Sequence, residues 1–233
     1  MSNYNILVID DEVEIAELVG IFLSNEGYQV LKAFNGEEGL VLLEKENIQL
    51  VILDIMMPGI DGLEVCKRIR ERWSIPIIML SAKSQDMDKI IGLGFGADDY
   101  MTKPFNPLEL VARVKSQLRR FMFLNHSAHE ATDENLIRIK ELTINKNNHV
   151  VTVYNKDVNL TPTEYKILLL LATHPGKVFS AEEIFEKVWE EKYYESNNTV
   201  MVHMWRLREK VEDNPKVPQL IETVWGVGYK IEN

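Results

Sequence analysis

The chain has 233 residues, enough for two domains of ordinary size, and its 45% apolar content is typical of a protein with buried cores. No apolar run approaches the ~20 residues that a membrane-spanning helix needs, and Cys66 is the only cysteine, so we expect a cytoplasmic protein without internal disulfides or membrane contact. The net charge of −10 argues against a protein that binds nucleic acid over its whole surface.

The first half of the chain alternates short apolar runs with stretches of helical spacing. Ile15, Val19 and Phe22 lie on one face of the first such helix, which ends at Gly27. Five strands that alternate with five helices predict a parallel sheet covered on both faces, and right-handed crossovers make it doubly wound. We therefore expect a flavodoxin-like α/β domain with a five-stranded parallel sheet in the order 2-1-3-4-5. Its strands are predicted at 5–9, 29–33, 50–53, 77–80 and 99–102.

Acidic side chains follow two of these predicted strands. Asp10 and Asp11 come directly after the first strand, and Asp54 follows the third. These two strands are neighbours in the expected order, so their carboxyl ends meet where the strand order reverses, which is where open sheets bind ligands. Three carboxylates at one point raise one another's pKa unless a cation neutralises them. Carboxylates, water and phosphate are the ligands that suit Mg²⁺, which we predict as the cofactor.

The fourth and fifth strands bring a hydroxyl and an ammonium group to the same edge. Ser81 follows the fourth strand, and Lys103 follows the fifth. A metal ion, a carboxylate nucleophile and a cation near the equatorial oxygens are the parts of a phosphoryl-transfer site. Asp54 is the predicted nucleophile because it stands alone at its strand end. A cis peptide bond between Lys103 and Pro104 would turn the lysine into the site.

The pattern changes after Arg120. Residues 125–135 contain almost no apolar side chain and predict a linker, so we place a first domain at 1–122, a linker at 123–135 and a second domain at 136–233. Strands are predicted in the second domain at 137–139, 142–144, 150–153 and 158–160. Two helices then begin with capping boxes, Thr161 with Glu164 and Ser180 with Glu183. A third helix and a Gly-punctuated hairpin at 221–231 complete an α+β domain.

The last helix, predicted at about 198–212, has a core face and a polar face. The core face is an apolar stripe of Val200, Met204, Leu207 and Val211. Opposite that stripe lie Asn198, Thr199, Val202, Trp205 and Arg206, with His203 and Lys210 on one flank and Arg208 on the other. Followed by a hairpin, this pattern is typical of a recognition helix and wing. Residues 123–233 carry 13 basic and 17 acidic side chains, so any DNA contact needs a local basic face.

The first half of the chain resembles the receiver domain of two-component response regulators. The matching stretches are VIDDE, LDIMMPGIDG, MLSAK, GADDYMTKPF and ARVKSQLRR. The resemblance implies that Asp54 is the phospho-acceptor and that Asp10, Asp11, Asp54 and the Met56 carbonyl hold Mg²⁺. It also implies that Ser81 and Lys103 contact the phosphoryl group and that Tyr100 is the aromatic switch residue. For Tyr100, an ordinary half-buried strand residue is an equally good interpretation.

The second half resembles the winged-helix domain of OmpR/PhoB-type regulators, through LTPTEYKILLLL, NTVMVHMWRLREK and TVWGVGYKIE. The stretches SNNTVMVH, DNP and TVWGVGYKIE resemble the VanR subgroup, which controls glycopeptide-resistance genes. The two resemblances cover nearly the whole chain and imply a transcriptional regulator that binds direct repeats in promoter DNA. The predicted DNA contacts are Asn198, Thr199, Val202, His203, Trp205, Arg206, Arg208, Lys210, Thr223, Trp225 and Lys230.

The chain departs from this family at two positions. Trp205 and Trp225 stand where relatives often carry Arg. We expect Trp205 to contact thymine methyl groups and Trp225 to pack in or beside the minor groove. Because two phosphate-binding cations are missing, binding should depend less steeply on salt.

The resemblance also implies partners. Active receivers of this family form homodimers through the fourth helix, the last strand and the last helix, where Lys89, Asp99, Glu109 and Arg113 match the cross-interface ion pairs. Plain solvated surface is the alternative interpretation of these four residues. Phosphorylation by a cognate sensor histidine kinase would favour the dimer. Residues 190–198 lie where relatives contact RNA polymerase.

Two other functions remain open. One is a Mg²⁺-dependent phosphatase with an Asp nucleophile, which would have Asp-x-Asp on its first strand, whereas the acids here are adjacent. The other is an inactive receiver with constitutive DNA binding, against which the complete set of site residues argues. We therefore expect a phospho-acceptor that is not an enzyme, beyond slow hydrolysis of its own aspartyl phosphate.

Overall fold

A computed structural model describes residues 4–82, 95–125, 135–147, 149–190 and 199–232, and for 120–125 it describes the backbone alone. The chain divides into two compact units, Met1–Phe121 and Met122–Asn233. Within the described residues, no helix has the length and hydropathy to span a membrane.

The first unit is a parallel sheet of five strands in the order β2-β1-β3-β4-β5, which confirms the predicted topology. The strands are β1 (Asn5–Ile9), β2 (Gln29–Ala33), β3 (Leu50–Asp54), β4 (Ile77–Ser81) and β5 (Asp99–Thr102). The described helices are α1 (Val13–Asn25), α2 (Gly36–Lys45), α3 (Gly62–Arg70) and α4 (Pro107–Asn125). The helix predicted between β4 and β5 lies outside the described residues.

The central strands of this sheet are buried on both faces. Every residue of β3 and β4 is buried, because helices cover both sides of a doubly wound sheet. On one face, Ile6, Ile52 and Leu80 pack with Leu23 of α1 and Val114 of α4. This core explains why the strands are continuous apolar runs in the sequence.

The register of the strands brings their carboxyl ends to one edge. The pairs at this edge are Ile9 with Leu53, Asp54 with Leu80, and Ser81 with Thr102. β3 and β4 each run one residue further than predicted, because Asp54 and Ser81 still pair with the neighbouring strand. The polar residues that end or follow these strands therefore lie together.

The second unit has an antiparallel sheet, three described helices and a hairpin. The sheet contains β6 (Leu136–Ile139), β7 (Leu142–Asn145), β8 (Val150–Val153) and β9 (Lys156–Asp157) in that order. The helices are α5 (Pro162–Ala172), α6 (Ala181–Trp189) and α7 (Thr199–Val211), and the hairpin is β10 (Ile221–Val224) with β11 (Gly228–Ile231). The capping boxes predicted at Thr161 and Ser180 are both present.

The strand predicted at 158–160 is wrong. Tyr154 and Asn155 have φ angles of 50° and 61°, and they form a two-residue turn, so the strand that pairs with β8 already begins at Lys156. Leu160 is buried directly before the N-cap of α5 instead of extending the sheet. The apolar residues at 158 and 160 imitate the alternation of a strand, but they belong to the approach to a helix.

Candidate functional site

Three carboxylates meet at the carboxyl edge of the first unit's sheet. Asp10 follows β1 and Asp54 ends β3, and both are buried, with Asp11 beside them. One carboxylate oxygen of each residue lies within 4.8 Å of the others. The sequence therefore predicted correctly that these side chains converge.

Lys103 lies among these acids. Its Nζ is 2.8 Å from Asp54 Oδ1 and 2.9 Å from Asp10 Oδ2, and it reaches both because it follows β5 directly. The peptide bond from Lys103 to Pro104 is cis, as predicted. A further contact was not predicted: Lys103 Nζ also donates a hydrogen bond to Glu12 Oε1 at 2.9 Å. One ammonium group thus binds three carboxylates.

The protonation equilibria of the site reflect burial and these ion pairs. Burial raises the pKa of Asp54 above its ordinary value, although Lys103 and the backbone N–H of Met56 oppose the shift. Burial likewise raises the pKa of Asp10, against the opposing effect of Lys103. Burial alone would lower the pKa of Lys103, but its hydrogen bonds to Asp54, Asp10 and Glu12 raise it, so the lysine stays charged.

The residues fit a hard divalent cation. The convergent oxygens of Asp10, Asp11 and Asp54 are the donor type that Mg²⁺ binds, and one ammonium group cannot balance all the carboxylates around it. Met56 follows Asp54 closely, and its backbone N–H donates to Asp54 Oδ2 at 2.7 Å. This hydrogen bond fixes one oxygen of Asp54 and leaves the carboxylate oriented at the edge of the sheet.

Glycine at position 62 allows the chain to close around Asp54. A Cβ atom at Gly62 would lie 2.0 Å from the backbone oxygen of Asp54, so only glycine permits α3 to begin there. Asp61 caps α3 by accepting a hydrogen bond from the N–H of Glu64. The DG pair therefore serves both as a helix start and as a close approach to the site.

Ser81 and Tyr100 are both buried. Ser81 ends β4, and its backbone oxygen accepts a hydrogen bond from the N–H of Lys103 at 2.6 Å. This bond joins the ends of β4 and β5 beside Asp54. Tyr100 is buried, whereas the alternative interpretation expected a half-buried side chain at this position.

The helix wheel predicted the core face of α7 but not the full width of its buried surface. Val200, Met204, Leu207 and Val211 are all buried, as expected. Three residues that we expected on the DNA side or on its flanks, Thr199, His203 and Arg208, are buried as well. The helix packs against α5, α6 and the hairpin, so its buried surface is wider than one stripe. The ring of His203, for example, packs edge-on against Trp189 at 5.3 Å.

Two cations of α7 are engaged inside the second unit. Arg208 Nη2 donates to the Ile221 oxygen at 2.6 Å and to Thr223 Oγ1 at 2.8 Å. Lys210 Nζ donates to Glu164 Oε2 at 2.7 Å. Arg208, Thr223 and Lys210 therefore have internal partners rather than a purely solvent-facing role.

The remaining predicted DNA contacts lie at or near the surface. Val202 and Arg206 are half-buried, and Trp205 is exposed. Trp225 lies at the tip of the hairpin and is 90% exposed. Lys230 on β11 forms ion pairs with Glu222 and Glu232. Asn198 lies outside the described residues, as do residues 191–198 of the segment expected to contact RNA polymerase.

Three of the residues that we predicted to form ion pairs across a dimer interface form ion pairs with one another within this chain. Arg113 Nη1 is 2.8 Å from Asp99 Oδ1, and Arg113 Nη2 is 2.9 Å from Glu109 Oε1. These contacts link β5 to α4. Lys89, the fourth predicted member, lies outside the described residues.

Known proteins resemble both halves of the chain. Residues 6–115 match the family model of the response regulator receiver domain, and residues 155–231 match that of the C-terminal domain of transcriptional regulatory proteins. The regulatory protein VanRc of Enterococcus gallinarum is 53% identical over 97% of this chain and 98% of its own length. VanR of Enterococcus faecium is 50% identical, with the same coverage of both chains.

Less similar proteins also match nearly the whole chain. ResD of Bacillus subtilis, a transcriptional regulatory protein, is 42% identical over 97% of this chain and 95% of its own. A solved structure of a RitR mutant has a TM-score of 0.66 at 24% identity and covers 99% of this chain and all of that one, which supports the fold alone.

Proposed function

The chain belongs to the OmpR/PhoB-type response regulators, in which a receiver is joined to a DNA-binding domain, and on that premise we propose that phosphorylation of Asp54 controls its binding to promoter DNA. The observation that carries the proposal is the position of Lys103, whose ammonium group contacts Asp54 and Asp10 at the edge where three carboxylates converge. A carboxylate beside a fixed cation at a strand end is a competent acceptor of a phosphoryl group.

Asp54 is the acceptor in this proposal. Its Oδ2 accepts the N–H of Met56, and its Oδ1 contacts Lys103, so the carboxylate is held in one orientation. Asp10, Asp11, Asp54 and the Met56 carbonyl would hold Mg²⁺, which when bound supplies positive charge that offsets the carboxylates and the incoming phosphate. Lys103 adds a second positive charge, and Ser81 at the end of β4 supplies a hydroxyl for the phosphoryl oxygens.

The ends of β4 and β5 would transmit the change. Ser81 and Lys103 are joined through a backbone hydrogen bond, so new contacts of either side chain with a phosphoryl group act on both strands. Tyr100 lies on β5, in the same strand that carries Asp99, and is the proposed switch residue. A change in β5 would therefore reach the surface where Asp99, Glu109 and Arg113 pair.

The output of the switch is a dimer on DNA. We assign the donor of the phosphoryl group to a sensor histidine kinase in the cytoplasm, and the target to direct repeats in a promoter, where two copies bind neighbouring half-sites. α7 would enter the major groove and the β10–β11 hairpin would lie beside it, with RNA polymerase as a further partner. The exposed Trp205 and Trp225 and the half-buried Val202 and Arg206 are the residues best placed to contact DNA.

The test is incubation of the full chain with acetyl phosphate and Mg²⁺. We expect mass spectrometry to find one phosphoryl group on Asp54 and sedimentation to find a shift from monomer to dimer. Asp54→Asn should abolish both effects. The matched control is Asp61→Asn, because Asn caps a helix as well as Asp does and position 61 lies in the same loop.

Phosphorylation of Asp61→Asn at the wild-type level would show that the loss in Asp54→Asn is specific to the acceptor. Modification at another residue, or none in the wild type with Mg²⁺ present, would overturn the proposal. Release of phosphate with repeated turnover would instead indicate a phosphatase, and DNA affinity unaffected by Asp54→Asn would indicate a constitutive regulator.

A further inference from the structure

Helix α7 exposes an unusual stripe for a surface that approaches DNA. Met201 is 55% exposed, Trp205 is 43% exposed, and Glu209 is exposed as well. They are spaced four residues apart, so they form one row about 12 Å long on the helix surface. The row contains two large apolar side chains and one acid, and no cation.

Two of the three cations of α7, Arg208 and Lys210, are bound within the second unit. Arg208 holds the first strand of the hairpin through the Ile221 oxygen and Thr223, and Lys210 holds Glu164 at the start of α5. The hairpin is therefore fixed to the same helix, with Trp225 at its tip. The row and the hairpin tip are therefore held in a fixed arrangement within the second unit.

A hydrogen bond joins two members of the row. Trp205 Nε1 donates to Glu209 Oε1 at 3.0 Å. The indole has only this one donor, so with the bond intact it cannot donate to a base and presents an apolar surface. The same bond orients the carboxylate of Glu209, which retains further lone pairs that can accept hydrogen bonds.

These chemistries match the exposed edges of pyrimidines. In the major groove, thymine presents a C5-methyl group and cytosine presents an N4 amino donor, whereas guanine presents two acceptors and adenine places its N7 acceptor beside its N6 amino donor. A carboxylate accepts a hydrogen bond from the cytosine amino group and is repelled by the guanine acceptors. We propose that Trp205 and Met201 contact thymine methyl groups and that Glu209 accepts a hydrogen bond from cytosine, so that α7 selects a run of pyrimidines on one strand.

This inference rests on the proposed function, since it names the DNA sequence class that the same helix reads. The apolar residues of the row would also suit a protein partner. If a protein binds there instead of DNA, substitutions in the row leave the base preference of the chain unchanged. The alternative is therefore one of the outcomes of the test.

The first experiment is selection from a random duplex library by the full chain, with acetyl phosphate and Mg²⁺ present. We expect each enriched half-site to contain adjacent thymine and cytosine on one strand. Glu209→Gln should lower the preference for cytosine about tenfold and admit adenine, which an amide can bind. The matched control, Glu186→Gln, makes the same charge change at an exposed position of α6 and should enrich the wild-type sequence.

The second experiment changes the DNA and leaves the protein intact. Replacing the thymines of an enriched half-site by uracil removes only the methyl groups, and loss of one buried methyl should weaken wild-type binding about fourfold. The double variant Met201→Ala/Trp205→Ala should bind the thymine and uracil duplexes equally, because it lacks both side chains that contact the methyl groups. The comparison of thymine and uracil duplexes with the wild-type chain needs no substitution, so it remains valid even if the variants in α7 fail to fold.

The outcomes separate the two proposals. If the wild-type chain enriches no sequence, the proposed DNA-binding function fails and this inference fails with it. If the wild type enriches a motif that stays unchanged in Glu209→Gln, and uracil substitution has no effect, DNA binding stands and pyrimidine readout by this row is wrong.

Discussion

A buried arginine holds the turn that leads into β5. Arg70 Nη2 is 2.6 Å from Asp98 Oδ2, and both side chains are almost completely buried. Arg70 also donates to the Gly96 and Ile75 oxygens, and Asp98 accepts the N–H of Ile77. This cluster joins α3, β4 and the start of β5, the strand that carries Tyr100 and leads to Lys103.

Removing the charge of Arg70 should therefore be costly. Arg70→Met leaves the buried carboxylate of Asp98 without its cation, and we expect a loss of about 3–5 kcal/mol in the free energy of unfolding. Arg68→Met is the control, because Arg68 pairs with Glu64 on the exposed surface of the same helix and should cost less than about 0.5 kcal/mol. Denaturant titrations measure both. Adding Asp98→Asn to Arg70→Met should recover part of the loss, and equal losses in the two arginine variants would contradict this account.

In the protein without Mg²⁺, the ionised carboxylate of Asp54 lowers the free energy of unfolding by an amount that depends on pH. Burial raises the pKa of Asp54 in the folded state above the ordinary value of 3.8 that applies in the unfolded chain. The unfolded state therefore loses this proton more easily, and the ionised carboxylate destabilises the fold at pH values above the raised pKa. As pH falls through the raised pKa towards 3.8, both states become protonated and the penalty disappears.

Asp54→Asn should accordingly stabilise the metal-free protein near neutral pH, and the gain should shrink as the pH falls towards 4. Thermal unfolding of both proteins without Mg²⁺, across that range, measures the difference. Asp61→Asn is the control substitution, because it replaces an exposed carboxyl group in the loop that follows Asp54. A loss of stability in Asp54→Asn near neutral pH would mean that Lys103, rather than burial, dominates the energetics of Asp54.

At the scale of elements, the sequence predicted those helices and strands whose positions depend on residues close together in the chain. The strands of the first unit were placed within one residue, and in β1, β3 and β4 the apolar run stops at a polar residue where the sheet ends. The two capping boxes were likewise visible, since Thr161 with Glu164 and Ser180 with Glu183 are close in sequence. The strand predicted at 158–160 was wrong because the turn lies earlier, at Tyr154 and Asn155. Asn adopts positive φ angles readily, but Tyr does so rarely, so Tyr154 gave no sign of a turn in the sequence.

The orientation of α7 could be only partly predicted for a related reason. A wheel finds the stripe that is most apolar, but it does not show that α5, α6 and a hairpin surround the helix on more than one side. Thr199, His203 and Arg208 are polar in sequence and buried in the fold. Their partners come from distant segments, as Arg208 with Ile221 and Thr223 illustrates.

Glu212 attaches the hairpin to the end of α7. Its carboxylate accepts hydrogen bonds from the backbone N–H groups of Gln219, Leu220 and Ile221, at 2.8 to 3.2 Å. Four residues earlier, on the last turn of α7, Arg208 holds the Ile221 oxygen. Helix and hairpin therefore behave as one element, which fixes the distance between the two surfaces that we propose contact DNA.

Glu212→Ala should destabilise the second unit by about 1–2 kcal/mol, because several backbone donors lose a charged acceptor while part of the site remains open to water. Hydrogen exchange should speed up selectively at Leu220 and Ile221, and DNA affinity should fall more than stability accounts for. Glu186→Ala on α6 is the control, since Glu186 is exposed. If hydrogen exchange at Leu220 and Ile221 is unchanged in Glu212→Ala, then the carboxylate of Glu212 does not hold the hairpin in place.

At the scale of the whole molecule, the acidic site and the proposed dimer surface differ in how much the sequence could predict. The site residues are placed by strand ends, so Asp10, Asp54 and Lys103 converge as soon as the strand order is known. The dimer surface depends on partners that the sequence alone does not identify. Asp99, Glu109 and Arg113 were assigned to ion pairs between copies, and in the single chain they pair with one another.

These internal pairs set the expected strength of a dimer. Arg113 already has two carboxylate partners, so dimerisation would exchange these ion pairs for pairs with the other copy, and the net gain from each exposed pair is only about 0–1 kcal/mol. A two-fold interface contains each contact twice, so one substitution removes both copies. We therefore expect Arg113→Ala to raise the dissociation constant of the phosphorylated dimer by about three- to tenfold, with little effect on the stability of the monomer.

Sedimentation of the chain treated with acetyl phosphate and Mg²⁺ measures this change directly. Lys115→Ala is the matched control, because Lys115 lies on the same helix and pairs instead with Glu26, directly after α1. Its dimer should match the wild type. If Arg113→Ala dimerises as well as Lys115→Ala, then the Arg113 ion pairs stay within each chain, and the dimer must form through a different face of the receiver.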